Sequence, residues 1–209
     1  MLIALTFWIC VGTILYIHIG YPMLVFLLAR KKPRVSSHPP VTPQVTLLIA
    51  AYNEEGFIAR KLENSLELDY PSDQLQILVV TDGSDDKTVE IVKGYADRGV
   101  ELTHNPERAG KMAAIERAMP LVRGSIVVLS DGNNMFNSIA LRELVIPFSD
   151  PQVGVVTGAK TILRGDGSLG ESEGLYWRYE SFIRTQESLL GFCTGVNGEI
   201  MAIRREAFK

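Results

Sequence analysis

Four short polar strings follow apolar runs in this chain, and their residue types suit one kind of ligand. Tyr52-Asn53-Glu54-Glu55 follows the run 45–51, and Thr81-Asp82-Gly83-Ser84-Asp85-Asp86 follows 75–80. His104-Asn105, with Arg108-Ala109-Gly110-Lys111 close behind, follows 100–103; Ser130-Asp131-Gly132-Asn133-Asn134 follows 125–129. An aromatic ring, several carboxylates and a lysine converging on one edge suit a nucleotide, its diphosphate and a hard divalent cation. Mg²⁺ and Mn²⁺ prefer oxygen ligands and take one or two carboxylates together with substrate phosphates.

Each string also has a plainer reading. Ser84 or Asp85 can cap a following helix, and Asp82-Gly83 is good turn chemistry. Asp131-Gly132-Asn133 reads as another turn, and Gly110 can simply start a helix with Lys111 in solvent. What raises them together is their place at successive strand ends. The runs Val45–Ala51, Leu75–Val80, Val100–Thr103 and Ser125–Leu129 are short, apolar and of buried-strand type, with a longer strand expected over Val153–Leu163. Between them, Glu55–Leu68, Asp85–Asp97, Gly110–Val122 and Ser138–Pro147 carry helical spacing. This alternation predicts an α/β fold with a mostly parallel sheet flanked by helices. Ligands on such sheets bind at the carboxyl ends of strands, near a topological switch point.

Several function classes fall away. No G-x-G-x-x-G follows the first strand, so a dinucleotide site lacks its phosphate turn, and Gly110-Lys111 is followed by Met112 rather than the Ser or Thr of a phosphate loop. An acidic receiver-like domain fits the strand-end pattern but not the N-terminal segment. The 209 residues are 46% apolar and 22% charged with net charge −3, which excludes disorder. No Asp or Glu precedes Glu54, while Arg30, Lys31, Lys32 and Arg34 cluster, so the remainder is acidic and a nucleic-acid face is not expected. Cys10 and Cys193 make neither a disulfide framework nor a zinc site.

Leu2 to Ala29 contains no charged side chain, a length of about 42 Å as a helix against a hydrocarbon core of about 30 Å. Residues 1–29 read as a transmembrane anchor, with Pro22 placed to kink it and His18 as a polar residue near headgroups or a neighbouring helix. The basic cluster behind it predicts an outside N-terminus and a cytoplasmic remainder. Residues 30–44 form a basic linker in which Pro33, Pro39, Pro40 and Pro43 favour an extended tether. Residues 45–209 form the expected α/β domain.

The order Ala51-Tyr52-Asn53-Glu54-Glu55, then VVTDGSDDKT, AGKMAAI and VLSDGN, resembles the family-2 glycosyltransferases. Within that family the chain is most similar to membrane-embedded polysaccharide synthases of the cellulose, hyaluronan and poly-N-acetylglucosamine type, whose middle region GLYWRYE and GVNGEIMAIRREAF also resemble. The resemblance implies a GT-A fold and inverting transfer from a nucleotide-sugar donor, with UDP as the nucleotide, to a glycan or lipid-linked acceptor at the cell (inner) membrane. It implies a donor site of Ala51, Tyr52, Asn53, Glu54, Asp82, Lys111 and Asp131. Tyr52 and Asp82 match the base and ribose contacts, and Lys111 the basic residue near base or phosphates. Asp131 matches the first Asp of the metal motif and Asn133 stands where the second would be. The implied cofactor is Mg²⁺ or Mn²⁺ on Asp131 and Asn133, with one negative charge fewer than the family pattern.

Glu173 to Leu190 reads as an amphipathic helix whose Tyr176, Trp177, Tyr179 and Phe182 pack onto the core, or serve an acceptor or membrane surface. Gly195 to Ala202 resembles the acceptor-side strand and loop, with Glu199 its carboxylate. An inverting transfer needs a general base; the family's base, an Asp in a Thr-Glu-Asp or Asp-Asp motif some way after the region matching Arg204-Arg205, and its later Gln-x-x-Arg-Trp motif do not occur in 1–209. The chain is thus expected to be the donor-binding half of a synthase, or alternatively a truncated, non-catalytic nucleotide-sugar-binding module.

Overall fold

Short β-branched runs bounded by polar turns cannot bury themselves as isolated strands, and here they assemble edge to edge. The computed structural model describes residues 1–31, 42–159, 167–192, 194–195 and 198–208, with backbone alone for 167–173. Most of the expected tether, the far end of the expected strand 153–163, and Cys193 lie outside the described residues.

One unit comprises His38–Gly158 and Asn197–Lys209. Its strands are β1 Val45–Ala51, β2 Leu75–Asp82, β3 Val100–Asn105, β4 Ile126–Asp131, β5 Val155–Thr157 and β6 Ile200–Arg204. They form one six-stranded sheet in the order β3-β2-β1-β4-β6-β5. β1 pairs parallel with both β2 and β4, while β6 runs antiparallel to β4 and β5. The sheet is therefore mixed: four parallel strands match the expectation, and β6 inserts antiparallel between β4 and β5. The chain steps from β1 outward to β3 and then returns to β4 on the other side of β1. That reversal makes the carboxyl ends of β1 and β4 the switch-point crevice.

The apolar faces of the strands explain the assembly. Leu47, Ile49, Val79 and Val128 are wholly buried on one face, and Leu48, Val80 and Val127 on the other. Each such side chain contributes about 1.5–3 kcal/mol relative to exposure. The connecting helices are shorter than their periodic patterns: Ile58–Leu66, Thr88–Lys93, Lys111–Ala118 and Ala140–Val145, some extended by single 3₁₀ turns.

The other unit comprises Met1–Ser37 and Ala159–Val196. Leu2–Ala29 is a single helix, long and apolar enough to cross a membrane. The sequence places a kink at Pro22, and the structure has a π-helical segment at Tyr16–Gly20, ending two residues before it. Proline has no N–H for the carbonyl four residues back, and that carbonyl, His18 O, accepts a 2.8 Å bond from the Tyr179 hydroxyl of the helix Gly167–Leu190. Tyr21 donates to Glu187 on the same helix, and Glu187 also accepts from the Thr194 hydroxyl. Tyr176, Tyr179 and Phe182 are exposed, not buried core residues.

Candidate functional site

The loop after β1 is held by the loop after β2 through a dense set of local bonds. Asn53 lies in the left-handed region at φ 53°. Its amide side chain donates to Asp85 Oδ1 at 2.7 Å and accepts from the Asp85 amide at 3.1 Å. The Asn53 amide reaches Ser84 Oγ, the Glu54 amide donates to Thr88 Oγ1, and the Glu55 amide donates to Asp86 Oδ2. Asp86 Oδ1 accepts from the Thr88 amide at the start of the helix Thr88–Lys93. Asp86 thus accepts from the first amide of that helix, while Ser84 and Asp85, read from sequence as caps, bind Asn53. Burial raises the Asp86 carboxyl, but the Thr88 hydroxyl and the Thr88 and Glu55 amides outweigh it and hold it below the usual range.

Asp82, at the end of β2, is committed to the fold on both oxygens. Oδ2 accepts from the amides of Ala109 and Gly110 at 2.8 and 2.7 Å, and Oδ1 pairs with Arg117 at 3.1 Å. Burial pushes its carboxyl up, and these two amides with Arg117 more than reverse that, leaving it lowered. Asp82 thereby fixes the segment that carries Arg108 and Lys111. Gly83 is obligatory beside it: its φ is +71°, and a Cβ there would lie 2.6 Å from Arg108 Cβ. Arg108 in turn sets its guanidinium 3.8 Å from the centre of the Tyr52 ring, a cation–π contact.

The loop after β4 brings Asp131 and Asn133 to the same edge. Register places Ala50 beside Asp131, and the Gly132 amide bonds back to Ala50 O at 3.1 Å. Asp131 is ion-paired with Lys111, their side chains 29% and 47% exposed. Glu54 stands near enough that its carboxyl is raised, first by burial and then by the charges of Asp131 and Asp86. Beneath this loop, Lys61 of the helix Ile58–Leu66 is fully buried. Burial lowers its amine to about 7, against the pull of Asp131.

These residues enclose a cavity of about 290 Å³ lined by Ala51, Tyr52, Glu54, Asp82, Lys111, Asp131 and Asn133 among others. Of the site residues expected from sequence, only Asn53 is not in the lining; its side chain ties the two loops together. Arg108 and Gly110 also line the cavity. Arg108 stood in a string noted at a strand end, but nothing in its local sequence marks it as stacking on Tyr52. Lys61 was legible in one respect: Ile58, Lys61, Leu62 and Ser65 share the buried stripe of their helix at helical spacing. Among the described residues no group of three or more His, Cys, Asp or Glu is arranged to hold a metal. An ion here would take Asp131 and the Asn133 oxygen and need a further anionic ligand. Lys111 places a positive charge against Asp131.

The family model for glycosyltransferase-like family 2 matches residues 43–209. A beta-monoglucosyldiacylglycerol synthase of Trichormus variabilis is 29% identical over 175 residues, covering 79% of this chain and 36% of that protein. A poly-beta-1,6-N-acetyl-D-glucosamine synthase of Staphylococcus epidermidis is 28% identical over 209 residues, covering 97% of this chain and 48% of that protein. The chain thus spans less than half the length of these relatives. Among solved structures, the mannosyltransferase PcManGT of Pyrobaculum calidifontis, in complex with GDP-Man and Mn²⁺, superposes with a TM-score of 0.76 at 30% identity, covering 91% of this chain and 54% of that one. The fold is GT-A-like, and with the family model spanning nearly everything after the N-terminal helix, the chain belongs to glycosyltransferase family 2.

Proposed function

We propose that this chain binds a nucleoside diphosphate sugar, with uridine as the nucleoside, in the cavity at the ends of β1, β2 and β4. It carries the donor side of an inverting transfer to a glycan or lipid-linked acceptor. The observation behind this is the convergence of Tyr52, Glu54, Asp82, Lys111, Asp131 and Asn133 on one cavity at the switch point of the sheet.

On this reading the Tyr52 ring takes the base, with Arg108 placed against it. Asp82 keeps the 109–111 segment in place at the cavity wall. Lys111 leaves Asp131 and turns to the diphosphate, a change within the reach of a half-exposed lysine. Asp131 and Asn133 hold Mg²⁺ or Mn²⁺, the diphosphate supplying the remaining anionic oxygens. When bound, the cation offsets the charge that develops on the leaving diphosphate. Uridine and inversion rest on the family resemblance; the divalent cation is supported by the oxygen donor set and by the Mn²⁺ bound to PcManGT. Leu2–Ala29 anchors the chain in the cell (inner) membrane, with the basic residues after it on the cytoplasmic side.

Calorimetric titration of the detergent-solubilised chain with UDP, GDP and ADP in the presence of Mn²⁺ tests the assignment. UDP is expected to bind more tightly than either purine nucleotide by at least about tenfold, or 1.4 kcal/mol. Equal affinities would overturn the uridine assignment, and no binding of any of them would overturn the donor site. UDP binding with no sugar transfer would favour a nucleotide-sugar-binding module.

A further inference from the structure

A wholly buried lysine is costly, because its amine must give up water and its charge is penalised. Lys61 lies in the apolar stripe of its helix, where Leu or Met would fill similar space without that cost. Its amine donates to the backbone carbonyl of Asn134, and the same nitrogen sits 3.9 Å from the centre of the Phe136 ring. One turn further along the helix, Asn64 grips the same segment twice. Its side-chain nitrogen donates to Phe136 O and its oxygen accepts from the Phe136 amide, both at 2.8 Å. From the other side, the Asn134 side chain donates to Glu199 at 3.2 Å. Residues 134 and 136 are thus bracketed directly after Asp131 and Asn133, which line the cavity.

We propose that Lys61, with Asn64, is a positioning pair that sets the loop after β4 so that Asp131 and Asn133 present their oxygens to a divalent cation bound with the nucleoside diphosphate. The inference rests on the donor-site reading above and adds residues outside the cavity lining. The clamp does not depend on charge, since an amine donates to a carbonyl in either protonation state. Asp131 and Asn133 each stand within three residues of the carbonyl that Lys61 holds. Without it the loop keeps its bond from Gly132 to Ala50 and the Asn134 side chain's bond to Glu199, but the Asn134 carbonyl, next to Asn133, loses its side-chain donor. The pair should then affect the metal-assisted part of donor binding while leaving the Tyr52 and Arg108 side of the cavity unchanged.

The test is UDP affinity of the full chain, with and without saturating Mn²⁺, in wild type, Lys61→Met and Asn64→Ala. Folding is verified by thermal melt, with titrations run well below each midpoint. In wild type Mn²⁺ should tighten UDP binding. In both variants that enhancement should fall by roughly tenfold, while metal-free UDP affinity changes by less than about twofold. A merely structural lysine would lower the melting temperature and leave the enhancement as in wild type, and that result overturns the proposal. Should Lys61→Met not fold, half-exposed Asn64 decides the matter: an unchanged enhancement in Asn64→Ala overturns the pair equally. Wild type that binds UDP without any Mn²⁺ enhancement contradicts the cation assignment itself and removes this inference with it.

Discussion

The two acidic loops at the edge of the sheet look alike as strings and differ in what their polar atoms do. In the Thr81–Asp86 loop nearly every side-chain oxygen is engaged within the protein. Asp82 holds Ala109, Gly110 and Arg117, Asp85 and Ser84 hold Asn53, and Asp86 holds Glu55 and Thr88. In the Asp131–Asn134 loop, Asp131 pairs with a solvent-facing lysine and Asn133 is exposed in the cavity lining. The backbone behind them is fixed by Lys61 and Asn64. Two Asp-Gly strings that look alike thus differ in whether their carboxylates are engaged by the fold or face the cavity. The first loop shapes the cavity, whereas the second leaves Asp131 and Asn133 in the cavity lining, where the proposed cation would bind.

The largest effect that would break this contrast lies at Asp82. Asp82→Ala leaves two amides and Arg117 without their acceptor, and should cost about 3 kcal/mol in urea unfolding. The pH dependence follows from the lowered carboxyl. The native state keeps Asp82 ionised below the unfolded value of about 3.9. Its contribution is therefore complete above that value and disappears as pH falls through the lower folded one. The acid-side loss of stability should be smaller in the variant, and an unchanged acid limb would mean that Asp82 is not a brace. Next comes Asn53→Ala, which removes the bonds to Asp85 and puts alanine at positive φ. About 1–2 kcal/mol of stability should be lost, with UDP affinity retained in the fraction that folds. A large loss of UDP affinity at full stability would instead make Asn53 a donor contact.

How much of this was legible in the chain depends on whether the cause was local. Val45–Ala51 was readable to the residue because a buried parallel strand is apolar on both faces. The helix expected from Glu55 begins only at Ile58, since the Glu54 and Glu55 amides are taken by Thr88 and Asp86. Likewise the helix expected from Gly110 begins at Lys111, because Gly110 has φ +99° and gives its amide to Asp82. The antiparallel insertion of β6 has no local signal, because strand neighbours are chosen by the whole sheet. The strand-end rule found most of the cavity lining. It could not tell which of these carboxylates are engaged within the protein, since the partners of Asp82 lie 27 to 35 residues away. The roles of Arg108 and Lys61 likewise depend on Tyr52 and Asn134, far from them in sequence.

At the small end, Asp131→Ala should change stability by no more than about 0.5 kcal/mol, because its partner Lys111 is solvent-screened. That near-silence in folding makes Asp131 the place to test the central claim, by counting Mn²⁺ directly. Free aqueous Mn²⁺, measured by electron paramagnetic resonance, is titrated with the full chain in the presence of saturating UDP. Wild type should remove about one Mn²⁺ per chain, and Asp131→Ala, equally folded, none at the same concentrations. Equal uptake by the two proteins would contradict the claim.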